Sequence, residues 1–395
     1  MSYSEWKTTK LFELINTVSE TYKFSENQTV VLINTSDILE GKVLNHSKVF
    51  PINVAGQFKK TFKRNDILYS EIRPANKRYA YIDFESNNYV ASTKLMVLRT
   101  KSKDIYNKFL YHFLKSNDTL KTLQAVAESR SGTFPQITFT ELSNLEINLP
   151  TLKEQQAIAN ILSSLDDKIE LNNKINKNLE ELAQTLYKQW FVDFDFPNDD
   201  GLPYKTSGGE MVESKLGLIP KGWEVKELSD MAVVSSGKRP PIKVKKKTSE
   251  YKYPVIGASG VMAYTQEYNI DEKILSIGRV GTHGIVQRIT EKVWVSDNTL
   301  TIKSNLYEFV YQILNQFDYK SLNRGSTQPL ITQTDVNKIG ILVPKNDLLK
   351  YFEKVVSSLF EVHKYNLIQN YKLAETRDLL LPKLMSGEIR VPIKE

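Results

Sequence analysis

Thr133-Phe-Pro135-Gln-Ile137-Thr138-Phe-Thr140-Glu-Leu-Ser-Asn-Leu-Glu-Ile147-Asn-Leu-Pro150 recurs 194 residues downstream, without a gap, as Thr327-Gln-Pro329-Leu-Ile331-Thr332-Gln-Thr334-Asp-Val-Asn-Lys-Ile-Gly-Ile341-Leu-Val-Pro344. Seven of the eighteen positions are identical, where unrelated sequences of average composition share about one. The register continues: Ser163-Ser164-Leu165 matches Ser357-Ser358-Leu359, Asn172 matches Asn366, Asn176 matches Asn370, and Leu179 matches Leu373. Upstream, Trp6-x-x-x-x-Leu11 resembles Trp223-x-x-x-x-Leu228 at a different offset. The chain therefore holds two modules that start alike and end alike around unlike middles, the pattern of a common scaffold with variable reading heads. A duplication that left two stability-bearing copies with no division of labour is the plainer alternative.

After each repeat comes a segment of helical period. Thr151-Leu-Lys-Glu154 has capping-box spacing directly after Pro150. A 4,3 spacing then runs through Ile158, Leu162, Leu165, Ile169, Asn172, Asn176, Leu179, Ala183, Leu186 and Trp190. The second copy reads Phe352, Val356, Leu359, His363, Asn366, Asn370, Leu373, Arg377, Leu380 and Leu384, with Pro382 marking the expected end. Two adjacent seam positions are Asn in both copies, and buried Asn in coiled coils fixes register. An antiparallel pair brings Asn172 near Asn370 and Asn176 near Asn366; a parallel pair would match Asn172 with Asn366 and Asn176 with Asn370. Topology favours antiparallel, because a module separates the helices. A seam from Ile158 to Trp190 extends for about 50 Å, long enough to act as a ruler between two patches of a duplex.

Within the modules, strand-like runs are Val30–Ile33, Ala80–Phe84, Leu95–Leu98, Lys273–Ile277, Lys292–Val295 and Leu300–Ile302, and helices are expected from Asp104 to about Thr122 and from about Leu306 to Asn315. The fold class is mixed α/β: two α/β modules, each followed by a long helix, the helices pairing as an antiparallel coiled coil with a pseudo-two-fold repeat. The expected boundaries are a first module over 1–150, a helix over 151–195, a linker over 196–220, a second module over 221–344, and a second helix with a tail over 345–395.

Lys+Arg is 53 against Asp+Glu 46, a formal net charge of +7, which favours polyanionic partners. Lys59, Lys60, Lys63, Arg64, Arg73, Lys77 and Arg78 cluster in the first module, and Lys238, Arg239, Lys243, Lys245, Lys246 and Lys247 in the second, followed by Arg279 and His283 in the loop Gly278-Arg-Val-Gly-Thr-His-Gly284. Lysines at this density suit phosphate neutralisation, while Arg, Gln, Ser and Thr on Gly-rich loops can reach base edges. Any one such run reads first as a solvated face; two at comparable places point to nucleic acid. Arg130-Ser-Gly-Thr133 and Arg324-Gly-Ser-Thr327-Gln328 recur just before the repeated segment. Small residues there admit close backbone approach to a phosphate, or serve a tight turn.

Catalytic signatures are missing. Cysteine is absent, which excludes disulfides, thiolate metal sites and Cys nucleophiles, and fits a reducing compartment. No phosphate-cradling Gly-x-x-x-x-Gly-Lys-Ser/Thr, no Asp/Asn-Pro-Pro-Tyr/Phe tetrapeptide and no glycine-rich dinucleotide turn occurs; His46, His112, His283 and His363 lack metal-ligand spacing, so no metal site is expected. Asp193, Asp195, Asp199 and Asp200 read as solvated or capping residues. The polar start lacks a signal-peptide pattern, and no apolar run approaches the ~20 residues of a membrane span. A cytoplasmic chain that recognises rather than reacts, with no membrane partner, is the expectation. A DNA-modifying enzyme and a protein-interaction scaffold are the competing readings.

Several stretches together resemble a known family: Ile219-Pro-Lys-Gly-Trp223 opening a module, Leu149-Pro-Thr-Leu-Lys-Glu-Gln-Gln-Ala-Ile158 leading into Ile161-Leu-Ser-Ser-Leu-Asp166-Asp-Lys-Ile169-Glu, then Trp190-Phe191, and Arg377-Asp-Leu-Leu-Leu-Pro-Lys-Leu-Met-Ser-Gly-Glu-Ile-Arg-Val391. In this order, over nearly the whole chain, they are similar to the specificity subunit of type I restriction-modification systems. The resemblance implies that each module is a target-recognition domain reading one half of a bipartite, asymmetric site in double-stranded DNA, with the helices as conserved spacers. It implies two adenine methyltransferase subunits docked on the spacers and two restriction subunits in the cleaving complex. S-adenosylmethionine, ATP and Mg²⁺ would belong to those partners, with no cofactor on this chain. One departure bears on docking: the second spacer opens Pro344-Lys-Asn-Asp-Leu-Leu-Lys350 in place of Pro-x-Leu-Lys-Glu-Gln-Gln.

Overall fold

Leu95–Thr100 shows how the first module is built. Leu95, Met96, Val97 and Leu98 are all buried, and because strand side chains alternate faces, they serve two cores. Met96 and Leu98 join Ile67, Tyr69 and Tyr79 against the helices; Leu95 and Val97 join Leu68, Ala80, Val31 and Ala91 on the other face. Such a doubly buried strand must be near-continuously apolar, which is why its sequence is an unbroken run.

The computed structural model describes residues 5–25, 27–52, 54, 56–129, 134–279, 284–322, 330–344 and 346–392. The chain divides into two compact units, residues 1–171 with 368–395, and residues 172–367. Each unit holds one module plus half of each long helix, so the division cuts through the helices rather than falling at the module ends expected from sequence.

In the first unit a four-stranded antiparallel sheet runs in the order Ile15–Val18, Leu95–Thr100, Ile67–Ser70, Tyr79–Tyr81. In the second unit the same order appears as Val233–Ser236, Thr299–Lys303, Ile274–Gly278, Val286–Ile289. Each module is closed by pairing its first strand with its last: Lys7–Lys10 with Glu146–Leu149, and Glu224–Glu227 with Gly340–Val343. The repeated Thr is an N-cap in both copies. Thr138 N–H donates to the Glu141 carboxylate (2.7 Å), and Thr332 N–H to the Asp335 carboxylate (3.1 Å), which satisfies amides that a short helix leaves free. A parallel strand pair is also shared, Val31–Ile33 with Tyr89–Ser92 and Tyr253–Gly257 with Trp294–Val295. The third strand is added differently: Phe58–Lys60 joins the later strand of the pair in the first module, whereas Gly260–Thr265 joins the earlier strand in the second. The unlike middles of the sequence are thus unlike in topology too.

The long helices span Leu152–Tyr187 and Asn346–Ser386. In the second unit Asn366 Nδ2 donates to Asn176 Oδ1 (2.9 Å), Asn176 Nδ2 to the His363 carbonyl (3.3 Å), and Glu180 lies 2.9 Å from His363 Nε2. Trp190 stacks on Tyr351. In the first unit Arg377 Nη1 donates to Asp166 (2.8 Å). In the second unit residue numbers fall on one helix as they rise on the other, so the pairing there is antiparallel and the Asn176–Asn366 contact excludes the parallel register.

Four expectations need correction. The second helix continues through Pro382 to Ser386. Pro382 is exposed, so the carbonyl it orphans can face water, while Leu381 and Leu384 on either side are buried in the first unit's core. Gly387, at φ 81°, supplies the left-handed turn that ends the helix. The box at Thr151 is half made: Glu154 N–H donates to Thr151 Oγ1 (3.3 Å), but the Glu154 carboxylate accepts instead from Arg390 Nε (2.6 Å), Arg390 Nη2 (3.0 Å) and Trp6 Nε1 (3.3 Å). The helix expected from Asp104 to Thr122 is two, Asn107–Leu114 and Asn117–Glu128, because Ser116 caps a new start. The expected linker 196–220 contains an ordered hairpin, Met211–Ser214 with Gly217–Pro220, and Phe196 stacks on Tyr204 and Trp223.

Candidate nucleic-acid interface

The second module offers the more open basic surface. Lys238, Arg239, Lys243, Lys245, Lys246 and Lys247 are all exposed, and none forms an ion pair among the described residues. The segment is anchored by main chain: Lys238 N–H donates to the Val295 carbonyl (3.0 Å), its carbonyl accepts from Trp294 Nε1 (2.8 Å), and Val244 exchanges hydrogen bonds with Tyr264. Gly237 makes this approach possible, since a Cβ there would lie 2.1 Å from the Ser296 carbonyl oxygen. The backbone is held while the ammonium groups stay in water, where each can trade counterions for phosphates. Lys252, Tyr253, Tyr264 and Lys292 line an open cleft with Lys247. These four escaped the sequence reading because they are scattered along the chain, although Lys252-Tyr253 is the kind of basic-aromatic step that marks such clefts.

Arg279 is placed differently. It follows the buried strand Ile274–Gly278, its N–H donates to the Asn298 carbonyl (2.9 Å), and its carbonyl accepts from Ile331 N–H (3.0 Å). Its Nη1 lies 3.5 Å from Ser236 Oγ, which also accepts from Gln333 Nε2 (2.9 Å). Ser236 and Gln333 were not legible as site residues, being ordinary polar residues nearly a hundred positions apart.

In the first module Lys59, Lys63, Arg64 and Arg73 are exposed and Lys77 and Arg78 half-buried. Arg73 (φ 44°) and Lys77 (φ 54°) bracket the turn Pro74–Asn76 in the left-handed region, a strained conformation for side-chain-bearing residues. Arg73 lies 5.9 Å over the Phe134 ring. Lys77 pairs with Glu40 (2.9 Å), Arg64 with Glu85 (3.9 Å), and Arg78 Nη1 donates to the carbonyls of Ser36 and Ile38 (both 3.0 Å). Lys60 departs from the expected interface. It is 8% exposed, and its ammonium donates to the carbonyls of Thr93 (3.0 Å) and Leu95 (2.8 Å). Burial pushes its pKa down, so Lys60 holds a strand end and does not face a ligand. Arg130, Thr133, His283, Arg324, Thr327 and Gln328 lie outside the described residues. Of the seam asparagines, Asn172, Asn176 and Asn366 are buried and Asn370 half-buried.

Glu154-Gln155, from the stretch that opens the first spacer, turns out to be internal. Gln155 is fully buried, donates to the carbonyls of Asp104 (2.7 Å) and Pro150 (3.0 Å) and accepts from Tyr106 N–H (2.8 Å), so it ties helix to module. At the repeat-equivalent place in the second unit stands Leu349, buried in an apolar core. The departure in the second spacer thus exchanges a hydrogen-bonded attachment for a packed one. No helix among the described residues is long and apolar enough to cross a membrane.

A family model described as the type I restriction modification DNA specificity domain matches residues 3–181 and again 220–373. The chain is 34% identical to the type I restriction enzyme HindI specificity subunit of Haemophilus influenzae, over 98% of this chain and 100% of that one. It is 30% identical to the type I restriction enzyme MjaIX specificity subunit of Methanocaldococcus jannaschii, over 73% of this chain and 70% of that one. A solved structure, the S subunit of a type I restriction-modification system from M. genitalium, shares the fold with a TM-score of 0.60 at 17% identity, covering 97% of this chain and 96% of that one. With the family's domain matched twice and a relative similar from end to end, the chain belongs to the type I restriction-modification specificity family.

Proposed function

We propose that this chain is the DNA-reading subunit of a type I restriction-modification enzyme, acting in the cytoplasm. Each module reads one half of a bipartite, asymmetric duplex site, and the paired helices set the gap and receive methyltransferase subunits. The observation that carries this reading is one scaffold built twice, with its capping boxes, closing strands and four-stranded sheets in common, bearing two different exposed basic surfaces. The scaffold fixes how a module is held, and the differing middles allow different sequences to be read. The chemistry is assigned to partners: two methyltransferase subunits using S-adenosylmethionine, and two restriction subunits using ATP and Mg²⁺.

The test is binding of duplex DNA by the chain assembled with its methyltransferase subunits, across a salt series. Phosphate neutralisation gives a log affinity falling with log salt by about 0.9 for each phosphate neutralised. Replacing Lys243, Lys245, Lys246 and Lys247 by Glu should flatten that slope by roughly 1 for each phosphate no longer neutralised, with assembly intact because these side chains are exposed. Affinity that stays flat between roughly 50 and 200 mM salt would contradict the reading.

A further inference from the structure

The two modules can be superimposed by their hydrogen bonds rather than their sequences, and this pairs Arg279 with Glu71. Ile137 N–H donates to the Glu71 carbonyl (2.8 Å) as Ile331 N–H donates to the Arg279 carbonyl (3.0 Å), and Ile137 and Ile331 are repeat-equivalent. Glu71 N–H donates to the Lys94 carbonyl (3.1 Å) as Arg279 N–H donates to the Asn298 carbonyl (2.9 Å). Each residue directly follows the corresponding strand of the shared sheet, Ile67–Ser70 or Ile274–Gly278. One backbone position, fixed identically on both sides, therefore carries a carboxylate in one module and a guanidinium in the other.

The surroundings differ to match. Glu71 has a cation in reach, Lys94 Nζ at 3.9 Å. Arg279 has no carboxylate partner among the described residues, its buried Nε has no hydrogen-bond partner there, and its one side-chain hydrogen bond there is the long approach to Ser236 Oγ. Ser236 is fixed in turn by Gln333, itself on the short helix that the repeated Thr caps. Exposed Lys238 and Arg239 follow Ser236 within three residues. A half-buried guanidinium, held by main chain at its base and by a hydroxyl at its tip, keeps most of its five donors for something else. An Arg held in this way is suited to paired acceptors in a fixed plane, and the O6 and N7 of guanine in the major groove present that arrangement.

We propose that Arg279 is the guanine-reading residue of the second module, with Ser236 and Gln333 as positioning residues that orient its guanidinium. The proposal rests on the DNA-reading assignment above and deepens it, naming one base and one side chain. Glu71 at the matching place cannot donate to guanine, so the two modules differ in base choice at this position of the scaffold.

The experiment is adenine-methylation mapping in a host free of other adenine methylation, with the full chain co-expressed with its methyltransferase subunits, as wild type, Arg279→Lys, Arg279→Gln and Ser236→Ala. Wild type is expected to require a guanine in the half-site read by the second module. Arg279→Lys and Arg279→Gln should relax that one position, lowering discrimination there by roughly ten- to a hundredfold, while the other half-site and the gap stay unchanged. Ser236→Ala should give a smaller relaxation at the same position. Co-purification of each variant with the methyltransferase subunits checks folding, and the unchanged half-site is the internal control. Unchanged motifs, or a uniform fall in methylation with no position relaxed, would overturn the assignment, the latter marking a phosphate contact. A wild-type half-site without guanine overturns it as well. If wild type itself gives no bipartite motif, the DNA-reading assignment fails first.

Discussion

The His112 imidazole is fully buried in the first unit, with Nε2 3.0 Å from Ser163 Oγ, and burial drives its pKa down to about 3. Lys115, paired with Asp166, adds to that depression. Below about pH 6.5 the unfolded chain takes up a proton that the folded chain refuses. Stability is therefore lost as pH falls from about 6.5 toward 3, with a slope approaching about 1.4 kcal/mol per pH unit from this residue. In the second unit Glu353 acts oppositely. Half-buried at the helix Tyr307–Gln316, it has a pKa raised by desolvation from 4.5 to about 6, against the opposing pull of the hydrogen bond it accepts from Phe309 N–H (2.7 Å). It makes the fold less stable as pH rises through that window. The difference between wild type and His112→Gln removes the Glu353 contribution, and that difference, from denaturant unfolding between about pH 5 and 8, should shrink toward acid as the variant loses the penalty of refusing a proton. A parallel pH dependence in the two proteins would mean that His112 is not the group responsible. None of this was legible in the sequence, where a lone histidine says nothing of its burial. Lys60 makes the same point: seven basic residues look alike in a string, and only the fold separates the buried Lys60 and the half-buried Lys77 and Arg78 from the four in water.

At the scale of the helices the sequence was far more informative. Every residue of both 4,3 seams is buried or half-buried, because a period of 3.5 puts them on one face whatever they pack against. The asparagines fixed the register, and the antiparallel choice followed from connectivity. What the pattern could not show was where local rules yield to tertiary ones: Pro382 inside a helix whose neighbours are pinned in a core, and Glu154 released from its cap by Arg390. The Asn176–Asn366 pair provides a test. Asn366→Leu leaves Asn176 Oδ1 facing an apolar side chain and should cost about 1–3 kcal/mol. The double change Asn176→Leu/Asn366→Leu should recover most of that loss, since two apolar residues pack without unsatisfied amides. Denaturant midpoints of the two single variants and the double one measure the coupling; additive losses would show that the amides do not serve one another.

For the whole molecule, duplication is what made the fold readable. Alike ends marked the closing strands and the capped turn, whereas the shared four-stranded sheet lies in the unlike middles and appears only in the structure. The unlike middles hid the third strand, which joins opposite members of the same parallel pair in the two modules. They also hid the equivalence of Glu71 and Arg279, which appears only when main-chain hydrogen bonds are matched. The most direct test of two-module recognition is adenine-methylation mapping after co-expression of the unaltered chain with its methyltransferase subunits. Two reading modules on paired spacers predict one bipartite, asymmetric motif with a fixed internal gap. A single uninterrupted motif, or no motif from a complex shown to assemble, would contradict it.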